Sequence, residues 1–194
     1  MLNLAIAFVV ETIFNLFILS ALVRFWMQVL RAPARNPLAQ FTMALTDFAV
    51  KPLRRVLPGF FKLDIASLAV AWGAELVLLA ILSLLQGVEL VNGTALSVLM
   101  FLALVKLLRL TVYIIMGAVL LQALLSWVNP YHPVAPFFEA MTRPFLKPFQ
   151  KAVPPIGGVD ITPVLVLIAC QLVLMLPVTW LETESLRMIA RFAL

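Results

Sequence analysis

Charge is scarce in this chain. Asp, Glu, Lys and Arg make up 12% of its 194 residues, where soluble domains carry about 25%. There is one cysteine, Cys170, and one histidine, His132. Those counts exclude a disulfide framework and a Cys/His zinc site. His132 sits in Tyr131-His132-Pro133 with Glu139 seven residues on, which fits a flanking or capping role better than a general base. No glycine-rich phosphate loop, nucleophile elbow or paired catalytic carboxylate stands in the polar segments. No catalytic residue, metal or cofactor is therefore expected. Disordered chains are poor in apolar residues, and here 64% are hydrophobic, with a mean hydropathy of +1.10. A soluble protein of 21.5 kDa has no interior large enough to hide that much apolar side chain. The composition is that of an integral membrane protein.

Four apolar runs read as spans: about 2–23, 65–85, 107–127 and 161–181, followed by a tail, 182–194. Each is long enough to cross a hydrocarbon layer of about 30 Å as a helix, and open sheets cannot satisfy their backbone in lipid. The first lacks an early basic segment, so it reads as a retained span rather than a secretory signal. The third lies in a longer apolar stretch interrupted by Lys106 and Arg109. Placing the span at 107–127 lets both cations snorkel at its entrance and leaves 96–105 as an extension or interfacial helix that needs cover.

The basic residues are unevenly placed. Segment 24–64 holds seven of the 14, and the connectors 24–64 and 126–160 together carry +6 while the rest of the chain carries −1. The positive-inside rule then puts both connectors in the cytoplasm and both termini on the opposite side. The pI of about 9.9 is thus a topology signal. Nucleic-acid binding is not expected, because no aromatic-rich basic platform accompanies the charge.

The chain repeats itself. Lys51-Pro52-Leu53-Arg54-Arg55-Val56-Leu57-Pro58 recurs 96 residues later as Lys147-Pro148-Phe149-Gln150-Lys151-Ala152-Val153-Pro154. The same offset carries Pro37 onto Pro133, Phe41 onto Phe137 and Asp64-Ile65 onto Asp160-Ile161; further upstream it becomes 102. The reading is two parallel helix–connector–helix repeats, 1–93 and 94–194. Eleven of 13 prolines fall in the connectors, which makes them stiff. Asn36-Pro37 is a helix start, after which Leu38, Phe41, Leu45, Phe48 and Pro52 share one face. Phe137, Met141 and Phe145 do so in the second copy. Both segments read as amphipathic helices, lying either on the cytoplasmic membrane surface or against the protein's own spans. Lys51, Arg54, Arg55, Arg143, Lys147 and Lys151 are the candidates for contact with anionic headgroups or a partner.

The stretch Leu125-Ser126-Trp127-Val128-Asn129-Pro130, then Arg143-Pro144-Phe145-Leu146-Lys147-Pro148, then Pro154-Pro155-Ile156-Gly157-Gly158-Val159-Asp160-Ile161-Thr162-Pro163 resembles the signature of the YggT family. Nearly the whole chain takes part, as in longer, two-copy members. Copy one departs from the pattern: Gly59-Phe60-Phe61-Lys62-Leu63-Asp64 lacks the paired glycines. The resemblance implies a bacterial inner-membrane protein without established enzymatic chemistry. Its relatives are tied to osmotic stress, to division or nucleoid organisation, and to cytochrome assembly in plastids.

The remaining polar residues have two readings each. Asp64 and Asp160 precede apolar helices and read as N-caps or as acids at an interface, with Gly157 and Gly158 shaping the second turn. Glu11 and Glu75 lie in mid-span, where ionisable groups are rare and costly. Asn15 shares the face of Glu11, and the repeat register places Tyr113 and Gln171 opposite the two acids. This set reads as a hydrogen-bonded helix clamp or as a midplane cation or proton site. The functional expectation is a non-enzymatic scaffold or assembly factor in a homo-oligomer or larger membrane complex. A small channel or transporter is the alternative.

Overall fold

The computed structural model describes residues 2–57, 63–85, 87, 93–153 and 160–192. Gly157 and Gly158 lie outside them. Every element is helical: α1 Leu2–Val29, α2 Pro37–Val56, α3 Ile65–Leu85, α4 Gly93–Val128, α5 Ala135–Ala152, α6 Thr162–Val173, a π-helical turn Leu174–Val178, and α7 Thr179–Phe192. Among the described residues, four stretches are long and apolar enough to span a membrane: α1, α3, α4, and α6 continued through the π-turn into α7. Helices α1–α2–α3 and α4–α5–α6 repeat one design, two spans flanking an amphipathic connector helix.

Local chemistry explains the breaks. Asn36 is extended at the start of α2; its Oδ1 accepts from Ala39 N at 2.9 Å, and Pro37 supplies the first helical residue. Helix α1 ends on Arg31, held in the left-handed region at φ 53°. There Ala32 N donates to Met27 O at 2.9 Å, closing the last turn.

The third span begins well before the expected residue 107, and 96–105 takes the first of its two readings, an extension of the same helix. Helix α4 runs unbroken for 36 residues, about 54 Å at 1.5 Å per residue. No proline interrupts it, and the 96–105 portion has its own cover. Leu99, Leu102 and Ala103 are buried with Leu79 of α3, beside Trp72, Leu76 and Ile189 of α7. Trp72 Nε1 donates to Met100 O at 3.1 Å. The fourth span also outruns its expected end at 181. Pro177 cannot donate to the helical ladder, so the chain widens into the π-turn, where the Thr179 hydroxyl donates to Leu174 O at 2.7 Å, and the helix continues to Phe192.

The connector helices behave differently in the two copies. In α2 the buried side is small or polar (Ala39, Thr42, Thr46, Val50), while Leu38, Phe41 and Phe48 are exposed. In α5 the aromatic side turns inward, and Phe137, Phe138, Met141 and Leu146 are buried. The central core joins both copies, with Ile18, Leu22, Met27 and Leu78 packed into one cluster with Leu107, Ile114, Phe137 and Met141.

Candidate functional site

Two polar layers stand out in an otherwise apolar bundle. The first lies where the spans meet the connectors. In repeat one, Asp64 immediately precedes α3 and is 2% exposed. Its Oδ2 accepts from the Ser67 hydroxyl at 2.5 Å, and the Arg54 guanidinium from the end of α2 pairs with the same carboxylate. Arg24 of α1 approaches Asp64 at 3.9 Å and donates to Asp47 Oδ1 at 2.8 Å and to Thr46 Oγ1 at 2.9 Å. Lys51 closes the set on Asp47 at 2.7 Å. Burial pushes the Asp64 carboxyl upward, but Arg54 and Ser67 more than offset it and hold it below its usual value. The hydrogen bond from Lys51, aided by Arg24, lowers Asp47 likewise.

Repeat two keeps this wiring and removes charge from it. Gln150, at the register position of Arg54, donates to Asp160 Oδ2 at 3.1 Å. Thr162 gives Asp160 its backbone N–H at 2.9 Å and its hydroxyl at 2.6 Å. Burial raises this carboxyl, and the Thr162 and Gln150 bonds bring it below the ordinary range. Helix α6 starts at Thr162 with Ile161 at the cap position, so Asp160 serves the first turn from one residue further out. Thr142, 96 residues after Thr46, is buried as Thr46 is. It meets the Gln122 amide of α4 as Thr46 meets Arg24 of α1.

The second layer lies within the spans. Glu75 of α3 is 4% exposed, and its Oε1 is 3.8 Å from Lys106 Nζ of α4. One turn along α4, Arg109 pairs with Glu182 of α7 and reaches Thr179 Oγ1 at 3.5 Å. The carboxylates of Glu11 and Glu182 lie within electrostatic reach of Glu75. Two acids and two bases from three helices thus form neutral pairs, the arrangement under which charge is tolerated at depth.

The proposed midplane set is only partly gathered. Glu75 is buried, whereas Glu11, Asn15, Tyr113 and Gln171 are exposed. Lys106 and Arg109, expected to snorkel at a span entrance, pair with Glu75 of α3 and Glu182 of α7. Among the surface cations, Lys51 and Arg54 pair with Asp47 and Asp64 and stay exposed, as Arg55, Arg143, Lys147 and Lys151 are. Sequence reasoning missed Arg24, Thr46, Gln122 and Thr142. The register match of Thr46 with Thr142 was the available signal.

With this geometry in hand, comparison with known proteins is decisive for the family. The CCB3/YggT family model matches residues 3–85 and again 101–181, one match for each structural repeat. The chain belongs to the CCB3/YggT family. An uncharacterized protein of Pseudomonas aeruginosa is 34% identical over 177 residues, covering 90% of this chain and 89% of the relative. A Vibrio alginolyticus protein is 29% identical over 168 residues, covering 86% and 90%. YggT of Escherichia coli K12, also named uncharacterized, is 29% identical over 164 residues, covering 84% of each chain. No solved structure matches the chain.

Proposed function

We propose that this CCB3/YggT member is a non-enzymatic scaffold or assembly factor of the bacterial inner membrane, working within a homo-oligomer or a larger membrane complex. Its basic connectors face the cytoplasm and its termini the opposite side, as the charge asymmetry between connectors and spans supports. One observation carries the reading. Leu4, Phe8, Glu11 and Asn15 form a single stripe on α1 by helical spacing, and the stripe continues into Ile18 and Leu22. Those last two are buried in the core, yet Leu4 and Phe8 are 73% and 70% exposed, and Glu11 and Asn15 are exposed with them. Val10 and Phe14 of the same half pack on the core, so this stripe is the uncovered edge of the core-forming face, with an acid and an amide on it. In lipid such groups gain most from a facing helix that supplies hydrogen-bond partners.

Extraction of the full chain in polymer-bounded native nanodiscs tests this. The expected particle contains more than one copy of the 21.5 kDa chain or a further membrane protein, and Glu11→Leu with Asn15→Leu releases it. A lone wild-type monomer refutes the reading. A channel draws on the acids Glu11, Glu75 and Glu182 placed within the spans. It requires proton or potassium flux in liposomes that Glu11→Gln with Glu75→Gln abolishes.

A further inference from the structure

The structure assigns a phospholipid site to repeat one: the groove between α1, α2 and α3 takes an acyl chain of an anionic phospholipid whose headgroup meets Lys51 and Arg55. The groove has a volume of about 600 Å³, and every side chain lining it is apolar, among them Ile13, Phe17, Leu45, Phe48 and Val77; Gly73 completes the wall. It lies between two spans, so its surroundings are hydrocarbon rather than water. Gly73 opens directly onto free space, since a Cβ placed there meets no atom within 4 Å. Gly73 therefore marks a vacancy here, not a close helix crossing.

The second copy shows what a closed groove looks like. Ile115, Val119, Val166 and Cys170 hold the register positions of Ile13, Phe17, Val70 and Ala74. In repeat two these residues pack together with Leu146, Phe145 and Phe149. Phe145 stands where repeat one has Ala49, and Ala169 where it has Gly73. Two small residues in copy one thus leave open the space that a phenyl ring fills in copy two.

Charge complementarity selects the occupant. Lys51 and Arg55 follow Phe48 by three and seven residues, on the side of α2 that carries Phe48. Arg55 is exposed and has no acidic partner among the described residues. Lys51 is exposed too, sharing only Asp47. An acyl chain seated beside Phe17 and Phe48 brings its phosphate to the end of α2, where basic side chains attract anionic headgroups.

The test uses the full-length protein in nanodiscs of phosphatidylethanolamine and phosphatidylglycerol, with a trace of phosphatidylglycerol carrying a diazirine in mid-chain. After irradiation, labelled residues are mapped by mass spectrometry. Labelling is expected to concentrate on residues 13–17 and 70–77. Ala49→Phe and Gly73→Leu should each reduce it about fivefold, while labelling at exposed Leu124 and Leu172 stays constant. Lys51→Gln or Arg55→Gln should lower the preference over a phosphatidylcholine probe by about fivefold per charge. Gly73→Leu enters open space, so it decides the matter even if Ala49→Phe does not fold. Uniform labelling of all outer faces, unmoved by Gly73→Leu, overturns the proposal. So do chain-to-chain crosslinks through the groove, which assign it to a second copy.

Discussion

Replacing Lys106 with Met isolates the physics of the inner polar layer. The substitution keeps the length of the side chain and removes the cation 3.8 Å from Glu75. Glu75 is buried, so it must then either remain charged without a partner or take up a proton. The first option forfeits a pair attraction of about 4 kcal/mol at an effective dielectric of ~20. The second leaves the carboxyl neutral and takes a proton from solution. The loss should fall in the ~3–5 kcal/mol range typical of breaking one side of a buried pair. Adding Glu75→Gln removes the stranded acid and should recover most of the loss. A double-mutant cycle on the detergent-solubilised protein, followed by size-exclusion thermostability, should therefore give a coupling of about 2–3 kcal/mol. The Lys106→Met penalty should also shrink at pH 5, because protonating the stranded acid there is cheaper. Single-variant effects that add within ~0.5 kcal/mol, with no pH dependence, refute the reasoning.

The connector layer yields further expectations. Asp64→Asn strands Arg54 and weakens the hold on Arg24, and should cost about 2–4 kcal/mol. Asp160→Asn, at an exposed site with neutral partners, should cost only about 1 kcal/mol; equal melting shifts for the two would contradict the charge asymmetry between the repeats. Asp47 and Asp64 titrate below the ordinary carboxylate range in the folded protein, so on acidification the unfolded chain takes up protons first. Their stabilisation is complete above the unfolded pKa of about 3.9 and is lost as pH falls through the folded values. Thermostability measured from pH 7 down to about pH 3 should hold steady and then drop, with a flatter drop in Asp64→Asn. Thr142→Val should be milder than Thr46→Val by about 1 kcal/mol or more, because only Thr46 accepts from a buried guanidinium.

Much of the architecture was legible because membrane spans advertise themselves. Apolar length gave the spans, and the 96-residue echo of Lys51-Pro52 in Lys147-Pro148 gave the repeat. Asn36-Pro37 gave the start of α2. Two things were hidden. The first was the extent of α4: Lys106 and Arg109 resemble a span boundary until Glu75 and Glu182 are known to face them, and those partners lie on other helices. The second was which side of each connector helix turns inward. Leu38, Phe41 and Phe48 are the obvious apolar face of α2, yet Ala39, Thr42, Thr46 and Val50 are the buried one. In a membrane the apolar face has two possible solvents, and periodicity alone does not choose between them. The deciding contact, Arg24 reaching Thr46 and Asp47, joins residues more than twenty positions apart.

The π-turn Leu174–Val178 acts as a phase correction. A wider turn inserts about one residue into the winding of a helix, and each residue of an α-helix carries about 100° of rotation. Glu182 lies beyond that insertion, and it is the insertion that aims its carboxylate at Arg109. Deleting one residue between Val173 and Thr179 would leave every side chain of the ion pair in the sequence and swing the acid about a quarter turn away. Helix α3, which is regular throughout its 21 residues, has no such device. The inner charge balance of the protein is therefore set by helix phase as much as by residue identity.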